Sequence, residues 1–226
     1  MRDKQVRWRL DDLTMHVAIP GSVWQRTPAR QSIRACWLLR VLGTLVPPRV
    51  QAAAFSTCWN RWTTARRFQK QGRCLLGCGA EAEDSIEHYC RCQVLQQVCR
   101  SRLNLDHKIF CNLHTFALVN PNISSKETLT IIGLLIYGMY SVTNKLRHSG
   151  GCSGAVAFDA LMQGIREGAR GHHGACRTIV GQWGAELVAT PIPPQPAGPF
   201  TDKVAGFRRM RGAENSQRRV RARLYS

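Results

Sequence analysis

Residues 124–151 read SSKETLTIIGLLIYGMYSVTNKLRHSGG. Ser124, followed three residues later by Glu127, is typical of a capping box at the start of a helix. Basic residues close the segment before Gly150 and Gly151, as the C-terminus of a helix favours. The apolar run 129–142 is shorter than the roughly 18 to 20 residues that span a bilayer, so it predicts a buried helix of a soluble protein without a membrane partner. Helical spacing places its buried face at Leu129, Ile132, Ile136, Met139 and Tyr140.

Three further segments on either side of this one have helical patterns. Apolar residues recur at helical spacing from Gln31 until Pro47 and Pro48 stop the pattern. A second helix is expected from Pro48, and a further one at 155–169. We therefore predict a mainly α-helical protein whose small helical domain covers residues 31–185. The buried face predicted for the second helix consists of Val50, Ala54, Cys58 and Trp62.

The two ends of the chain differ in composition from this domain. Residues 1–30 are polar and irregular, and they predict an N-terminal arm. Residues 190–226 begin with closely spaced prolines and continue with a string of arginines, which predicts a stiff linker followed by a disordered basic tail. The tail is a candidate nucleic-acid contact or nuclear address, and a solvated tail without dedicated function is the alternative. Its candidate contacts are Arg208, Arg209, Arg218 and Arg219.

Charge is the strongest compositional signal. The 226 residues include 32 Lys and Arg against 14 Asp and Glu, a formal net charge of +18. Most of the cations are arginines, whose planar guanidinium binds phosphate through two hydrogen bonds. No acidic residue occurs in 13–80, and a run of that sign purity indicates an external polyanion. Nucleic acid is the expected partner, while charge for solubility alone is the alternative.

One cluster of residues has the chemistry of a metal site. Cys74-Leu-Leu-Gly-Cys78 is followed after nine residues by His88-Tyr-Cys90-Arg-Cys92. Thiolates on either side of a glycine-bearing turn, with an imidazole and a further thiolate beyond, suit tetrahedral Zn²⁺. We predict a structural zinc knuckle at 74–92, with a short hairpin at 74–80. Its ligands are Cys74, Cys78, His88 and Cys92, with Cys90 as the alternative fourth ligand if the segment is not helical.

Residues around the cluster complete the predicted site. Glu83, Asp84 or Glu87 is expected to orient the imidazole of His88. The remaining cysteines have the sequence context of ordinary buried thiols. Trp59, Trp62 and Phe68 offer stacking platforms for bases, although Trp62 at helical spacing equally fits the core. The cations expected to contact nucleic acid here are Arg61, Arg66, Arg67, Lys70 and Arg73.

Together these segments resemble a known family. The stretches PPRVQAAA at 47–54, NRWTTARRF at 60–68, DSIEHY at 84–89 and LIYGMYSVTNKLRH at 135–148 are similar to the C-terminal zinc-binding region of reverse transcriptases of non-LTR, LINE-type retrotransposons. The resemblance covers roughly residues 31–150. It implies an accessory nucleic-acid-binding module, a remnant of such an enzyme, with Cys74, Cys78, His88 and Cys92 as zinc ligands. The short gap between His88 and Cys92 and the extra Cys90 depart from the family's pattern.

The residues that polymerisation or DNA cleavage requires are missing. A polymerase needs separated carboxylates that hold two metal ions, and the adjacent pair Asp11-Asp12 has only ten residues before it. A restriction-like nuclease needs a Pro-Asp before an acid-x-Lys, and Asp106-His107-Lys108 has no such partner. We therefore expect no enzymatic activity. A structural RNA-binding protein of a ribonucleoprotein particle, such as an organellar ribosome, is the alternative function.

Cysteine use bears on the compartment. The N-terminal residues mix Asp3, Asp11 and Asp12 with arginines, unlike a secretory signal. Ten cysteines in such a chain indicate metal binding in a reducing compartment rather than disulfides. Nuclear or cytoplasmic localisation is expected, and an organelle remains an alternative.

Overall fold

A computed structural model describes residues 29–79, 81–149, 154–171 and 174–183. In these ranges the protein is mainly helical, as predicted, and contains no strand. The chain divides into a unit of Arg34–Pro193 and a second unit of Met1–Ile33 with Pro194–Ser226. The predicted N-terminal arm, apart from its last two residues, and the proline-rich linker with its arginine tail lie outside the described residues.

Nine α-helices occur within the described ranges. In chain order they are α1 Ala29–Leu45, α2 Pro48–Cys58, α3 Ile86–Tyr89, α4 Gln93–Arg102, α5 His107–Phe110, α6 Leu113–Phe116, α7 Lys126–Ser149, α8 Gly154–Ala169 and α9 Ala175–Gln182.

Helix α7 is the centre of the helical unit, and α2, α8 and α9 pack against it. The predicted apolar face is buried at Leu129, Ile132, Ile136 and Met139, whereas Tyr140 is only half-buried. The buried surface of the helix also includes Ile131, Leu134 and Leu135, so it is wider than the single apolar stripe that the sequence suggests. A helix with neighbours on several sides is apolar on several sides.

The start of α7 differs from the sequence prediction by one residue. Ser125, not Ser124, caps the helix, because its Oγ accepts a hydrogen bond from the backbone N–H of Thr128 at 3.0 Å. Ser125 also provides the first helical carbonyl, which accepts from Leu129 N at 3.0 Å. The N-cap is the residue directly before the first helical residue, and with the helix beginning at Lys126 that residue is Ser125.

Helices α7 and α8 approach closely at a pair of glycines. A Cβ atom placed on Gly164 would lie 3.2 Å from the carbonyl oxygen of Gly138. A Cβ atom on Gly138 would lie 2.5 Å from Cγ1 of Ile165. Both helices therefore need glycine at the crossing, where no side chain fits between the backbones.

Helix α7 has the length and composition of a membrane-spanning segment, but most of it is already covered by protein. Its most apolar 18-residue window is 72% buried within the structure. The core helix of a folded domain and a membrane span share these features, so length and hydropathy do not distinguish them here.

Helix α2 begins at Pro48, with Pro47 at the N-cap, as the proline pair predicts. Val50, Ala54 and Cys58 are buried on one face, also as predicted. Trp62 is buried as well, but it lies beyond the end of the helix at Cys58. Its indole N–H turns back and donates to Thr57 Oγ1 at 3.0 Å, so this tryptophan joins the core rather than the surface.

Several arginines of the acid-free stretch have partners within the protein, and two of them bind distant backbone carbonyls, which corrects the inference that all of these charges need an outside anion. Arg34 donates to the backbone carbonyls of Asn120 and Ile123 at 2.9 and 2.7 Å. Arg49 donates to the carbonyls of Glu167 and Arg170 at the C-terminus of α8. Uncapped carbonyls at helix ends and loops bind guanidinium groups without any carboxylate.

Candidate metal centre

The segment between α2 and α4 folds through a few hydrogen bonds rather than through a sheet. Arg73 and Glu83 form an isolated antiparallel bridge. Next to it, Cys74 N donates to Ala82 O at 2.6 Å, and Asp84 N donates to Gly72 O at 2.9 Å. These bonds bring the two arms of the segment together and bend the chain at 74–82, so the predicted hairpin at 74–80 is reduced to a single bridge with a turn.

The turn itself depends on one glycine. Gly77 has a φ angle of +65°, a left-handed conformation that other residues adopt at a cost. Its N–H donates to Cys74 O at 3.2 Å and closes the turn. The turn places Cys74 and Cys78 side by side.

The other two candidate ligands come from the start of the next helices. Ser85 caps α3, its Oγ accepting from His88 N at 3.1 Å. That short helix ends at Tyr89, and a further turn places Cys92 at the N-cap of α4. The imidazole and the last thiol are thereby directed toward the Cys74–Cys78 turn.

The structure brings together the four predicted ligands, which can hold a metal ion. The Sγ atoms of Cys74, Cys78 and Cys92 and a ring nitrogen of His88 all lie within 4.8 Å of one another. The shortest separation between the polar atoms of Cys78 and His88 is 3.1 Å, from Sγ to Nε2. Donor atoms about 2.3 Å from a tetrahedral ion lie roughly 3.8 Å apart, so small shifts of these side chains suffice to admit one.

Cys90, the alternative fourth ligand, lies outside this cluster. Its side chain is fully buried, and its Sγ donates to the carbonyl of Glu87 at 3.2 Å. Burial raises the pKa of the Cys90 thiol to about 12, so this thiol keeps the proton that it donates to Glu87. The geometry therefore places Cys92 rather than Cys90 in the fourth position.

The cluster thiols stabilise a thiolate among themselves. The hydrogen bond from Cys92 lowers the pKa of Cys74, against the opposing effect of burial. The same bond raises the pKa of Cys92, since Cys92 keeps the shared proton. The lowered pKa of Cys74 favours its thiolate, and this negative charge attracts a soft cation.

Asp84 is the polar centre of the segment, with a role that differs from the predicted one. Its carboxylate accepts from the hydroxyl of Tyr89 at 2.7 Å and from the backbone N–H of Ala65 at 2.8 Å. It also forms an ion pair with Arg147 of α7 at 2.9 Å. Two of the three acids expected to orient His88 are thus engaged elsewhere: Asp84 in this network and Glu83 with Arg66.

Sequence reasoning missed this network because its members are far apart along the chain. Arg147 is one of the basic residues that close the helical segment in the sequence, yet its guanidinium binds Asp84 and also donates to Thr63 Oγ1 at 2.6 Å. The buried Tyr89 ring stacks on Trp62 with a centroid distance of 6.0 Å. The sequence shows Asp84 as a carboxylate inside a cysteine-rich segment, but nothing near it in the sequence indicates its partner.

The five predicted cations before the turn are all exposed. Arg66 forms a salt bridge with Glu83 at 3.0 Å, in which both side chains remain about half exposed to solvent. Of the three predicted aromatic platforms, Trp62 is buried, Trp59 is half-buried against Phe55, and Phe68 is exposed. The four predicted tail arginines lie outside the described residues. The five exposed cations before the turn are Arg61, Arg66, Arg67, Lys70 and Arg73.

Asp106 and the cysteines outside the cluster have local structural roles. Asp106, part of the acid-x-Lys tripeptide, caps α5 by accepting from Lys108 N at 2.9 Å. Cys99 and Cys111 are buried with their sulfurs 3.5 Å apart, and Cys36, Cys58 and Cys176 are also buried thiols, as predicted. Cys152 lies outside the described residues.

No family model matches this chain, and comparisons with curated proteins and with solved structures find no match either.

Proposed function

We propose that this protein is a non-catalytic nucleic-acid-binding module whose binding surface is organised by one structural Zn²⁺. The observation that supports this proposal most is the attachment of an exposed basic segment to the metal loop. We call residues 61–73 the basic segment and residues 74–92 the metal loop. The resemblance of residues 31–150 to the C-terminal region of LINE-type reverse transcriptases favours an accessory module of such an enzyme.

The donor set favours zinc. Three thiolates and one imidazole are typical of structural zinc sites, and soft sulfur ligands disfavour Mg²⁺ and Ca²⁺. The ion would be held by Cys74, Cys78, His88 and Cys92. When bound, it would cross-link these side chains as a Lewis acid, and no coordination position would remain for water. Four protein ligands therefore support a structural role.

Electrostatics favours the basic segment over the metal site as the contact for nucleic acid. Three thiolates outweigh the charge of Zn²⁺, so the filled site is negative and repels phosphate. The exposed cations Arg61, Arg67, Lys70 and Arg73 lie in the stretch just before the ligands. Phosphate contacts of this kind bind nucleic acid strongly but with little preference for sequence.

Hydrogen bonds tie this segment to the metal loop. Ala65 N donates to Asp84 Oδ2 at 2.8 Å, and Arg66 N donates to Asp84 O at 3.3 Å. Arg66 also pairs with Glu83. A metal that fixes 74–92 would therefore fix the backbone from which the cations project, which links the two parts of the proposal.

Binding of the full chain to mixed-sequence RNA and DNA across a salt series tests this function. We expect affinity to fall steeply with salt, and the double variant Arg66→Ala, Arg67→Ala to bind all sequences more weakly. Each lost phosphate contact should reduce the slope of log affinity against log salt by about 1. Arg166→Ala with Arg177→Ala is the matched control, because both are exposed helical arginines and the charge change is the same.

Equal losses in the two double variants would show that net charge, not the basic segment, drives binding. Unchanged affinity and slope in a folded Arg66→Ala, Arg67→Ala variant would remove the basic segment from the binding surface. Zinc content should stay the same in both double variants, since none of the four substituted arginines is a metal ligand.

A further inference from the structure

Phe68 is an unusual residue in the basic segment. It is 55% exposed, and only Ile109 and Val156 are comparably exposed among the large apolar residues of the described ranges. A single exposed apolar residue needs no functional explanation by itself. Phe68 differs from the other two because it is aromatic, directly follows Arg67 and lies two residues before Lys70 in a stretch without acids.

The backbone holds this ring outward in a fixed turn. Residues 66–68 form a 3₁₀ turn, closed by Phe68 N donating to Ala65 O at 3.0 Å and by Lys70 N donating to Ala65 O at 2.9 Å. Gln69 then adopts a left-handed conformation with a φ angle of +55°. A residue other than glycine enters that region at a cost of about 1 kcal/mol, so the surrounding bonds specify the turn.

A guanidinium group accompanies the ring. The Cζ atom of Arg67 lies 5.7 Å from the centroid of Phe68, within the range of a cation–π contact. Arg67 also donates to the carbonyl of Trp62 at 3.4 Å, which anchors the cation to the buried part of the segment. More than half of Phe68 remains exposed in spite of this contact.

We infer that Phe68 and Arg67 form a stacking platform for an unpaired base, so that the basic segment takes single-stranded rather than double-stranded nucleic acid. The inference rests on the proposed function and specifies its substrate. Phosphates are equally available on one strand or two, but the face of a base is available only when the base is unpaired. Every base has such a face, so the platform accepts any sequence in RNA or DNA.

The apolar surface is too small to favour a protein partner. One exposed aromatic ring surrounded by cations lacks the contiguous apolar core of a stable protein interface. A flat ring between cations instead complements a strand that alternates bases with phosphates.

The test compares single-stranded oligonucleotides of RNA and of DNA with the duplexes of the same sequence, using the full chain. Phe68→Ala should weaken single-strand binding about tenfold, with less than about twofold change for the duplex. Phe68→Leu should behave like Phe68→Ala, since it keeps apolar area without a flat ring, and Phe68→Trp should restore binding. Ile109→Ala, which removes a comparably exposed side chain elsewhere, should change neither affinity.

Three outcomes would overturn the platform. Equal loss of single-strand and duplex affinity in Phe68→Ala would mean that the ring only shapes the basic segment. Full single-strand affinity in Phe68→Leu would mean that apolar contact, not stacking, is involved. Absence of salt-dependent binding by the unaltered protein would refute the proposed function and the platform with it, whereas the first two outcomes leave the proposed function intact. Helical circular dichroism and metal content of each variant confirm that it is folded.

Discussion

The metal loop and the crossing of α7 with α8 are ordered by different physical means. At the crossing, apolar side chains and a glycine contact between Gly138 and Gly164 exclude water. The metal loop has one isolated bridge, one four-residue helix and a buried carboxylate, with four potential ligands gathered at its centre. We therefore expect the core to persist without a metal ion, and the loop to need one for its order.

The largest expected effect comes from removing the metal. Structural Zn²⁺ contributes apparent binding free energies of about 10–16 kcal/mol in zinc-finger peptides, and here that energy should stabilise mainly the loop. Chelation, or the double variant Cys74→Ser, Cys78→Ser, should abolish hydrogen-exchange protection across 74–92. Protection of α7 should remain. Equal loss of protection in α7 would show that the two regions fold as one unit.

A substitution at the contact between the two regions should have the next largest effect. Arg147→Met leaves the Asp84 carboxylate buried without its cation, which costs about 3 kcal/mol because two other donors remain. Arg66→Met breaks an exposed ion pair and should cost less than about 1 kcal/mol. Chemical denaturation measures both. Similar values for the two variants would contradict the importance of Asp84 as a link between loop and core.

A substitution within the core should have a smaller effect that leaves the loop unchanged. Gly138→Val places side-chain atoms against Ile165 and should destabilise the protein by about 1–3 kcal/mol. Gly181→Ala in α9 is the control, because a Cβ atom there meets nothing within 4 Å. We expect that control to unfold at the same or a higher denaturant concentration. Loss of metal from the folded Gly138→Val protein would show that the core controls the loop.

The smallest effect distinguishes two adjacent serines. Ser125→Ala should cost about 1 kcal/mol, since it removes the side chain that caps α7. Ser124→Ala should leave the thermal midpoint unchanged, because Ser124 is exposed and outside the helix. The opposite order of midpoints would favour the capping box that the sequence alone suggests.

The sequence predicted the features that depend on local pattern. The helices around Leu135 and Val50 follow from apolar spacing and from proline, and the ligand cluster follows from cysteine chemistry. The capping residue was wrong by one position because Ser124 and Ser125 fit nearly the same pattern. Only the position of the helix start determines which serine accepts a hydrogen bond from a backbone amide of the first turn.

Long-range partners could not be predicted in this way. Arg34 and Arg49 bind carbonyls that lie 86 or more residues away in sequence, and Arg147 binds Asp84 across 63 residues. A backbone carbonyl leaves no compositional signal, so a stretch rich in arginine looked free to bind an outside anion. Phe68 and Trp62 are both aromatic in the sequence, and only the structure shows that Trp62 is buried while Phe68 is exposed.

We propose that one metal ion, held by Cys74, Cys78, His88 and Cys92, orders the loop. The most direct test measures the metal content of the purified protein and of two single variants, Cys92→Ser and Cys90→Ser. We expect one zinc ion per chain in the unaltered protein and in Cys90→Ser, because the Cys90 thiol is hydrogen-bonded to the Glu87 carbonyl and lies outside the cluster. We expect loss or marked weakening of zinc binding in Cys92→Ser, which removes a ligand. Equal metal content in the two variants, or no bound metal in the unaltered protein, would contradict a structural metal site at these four residues.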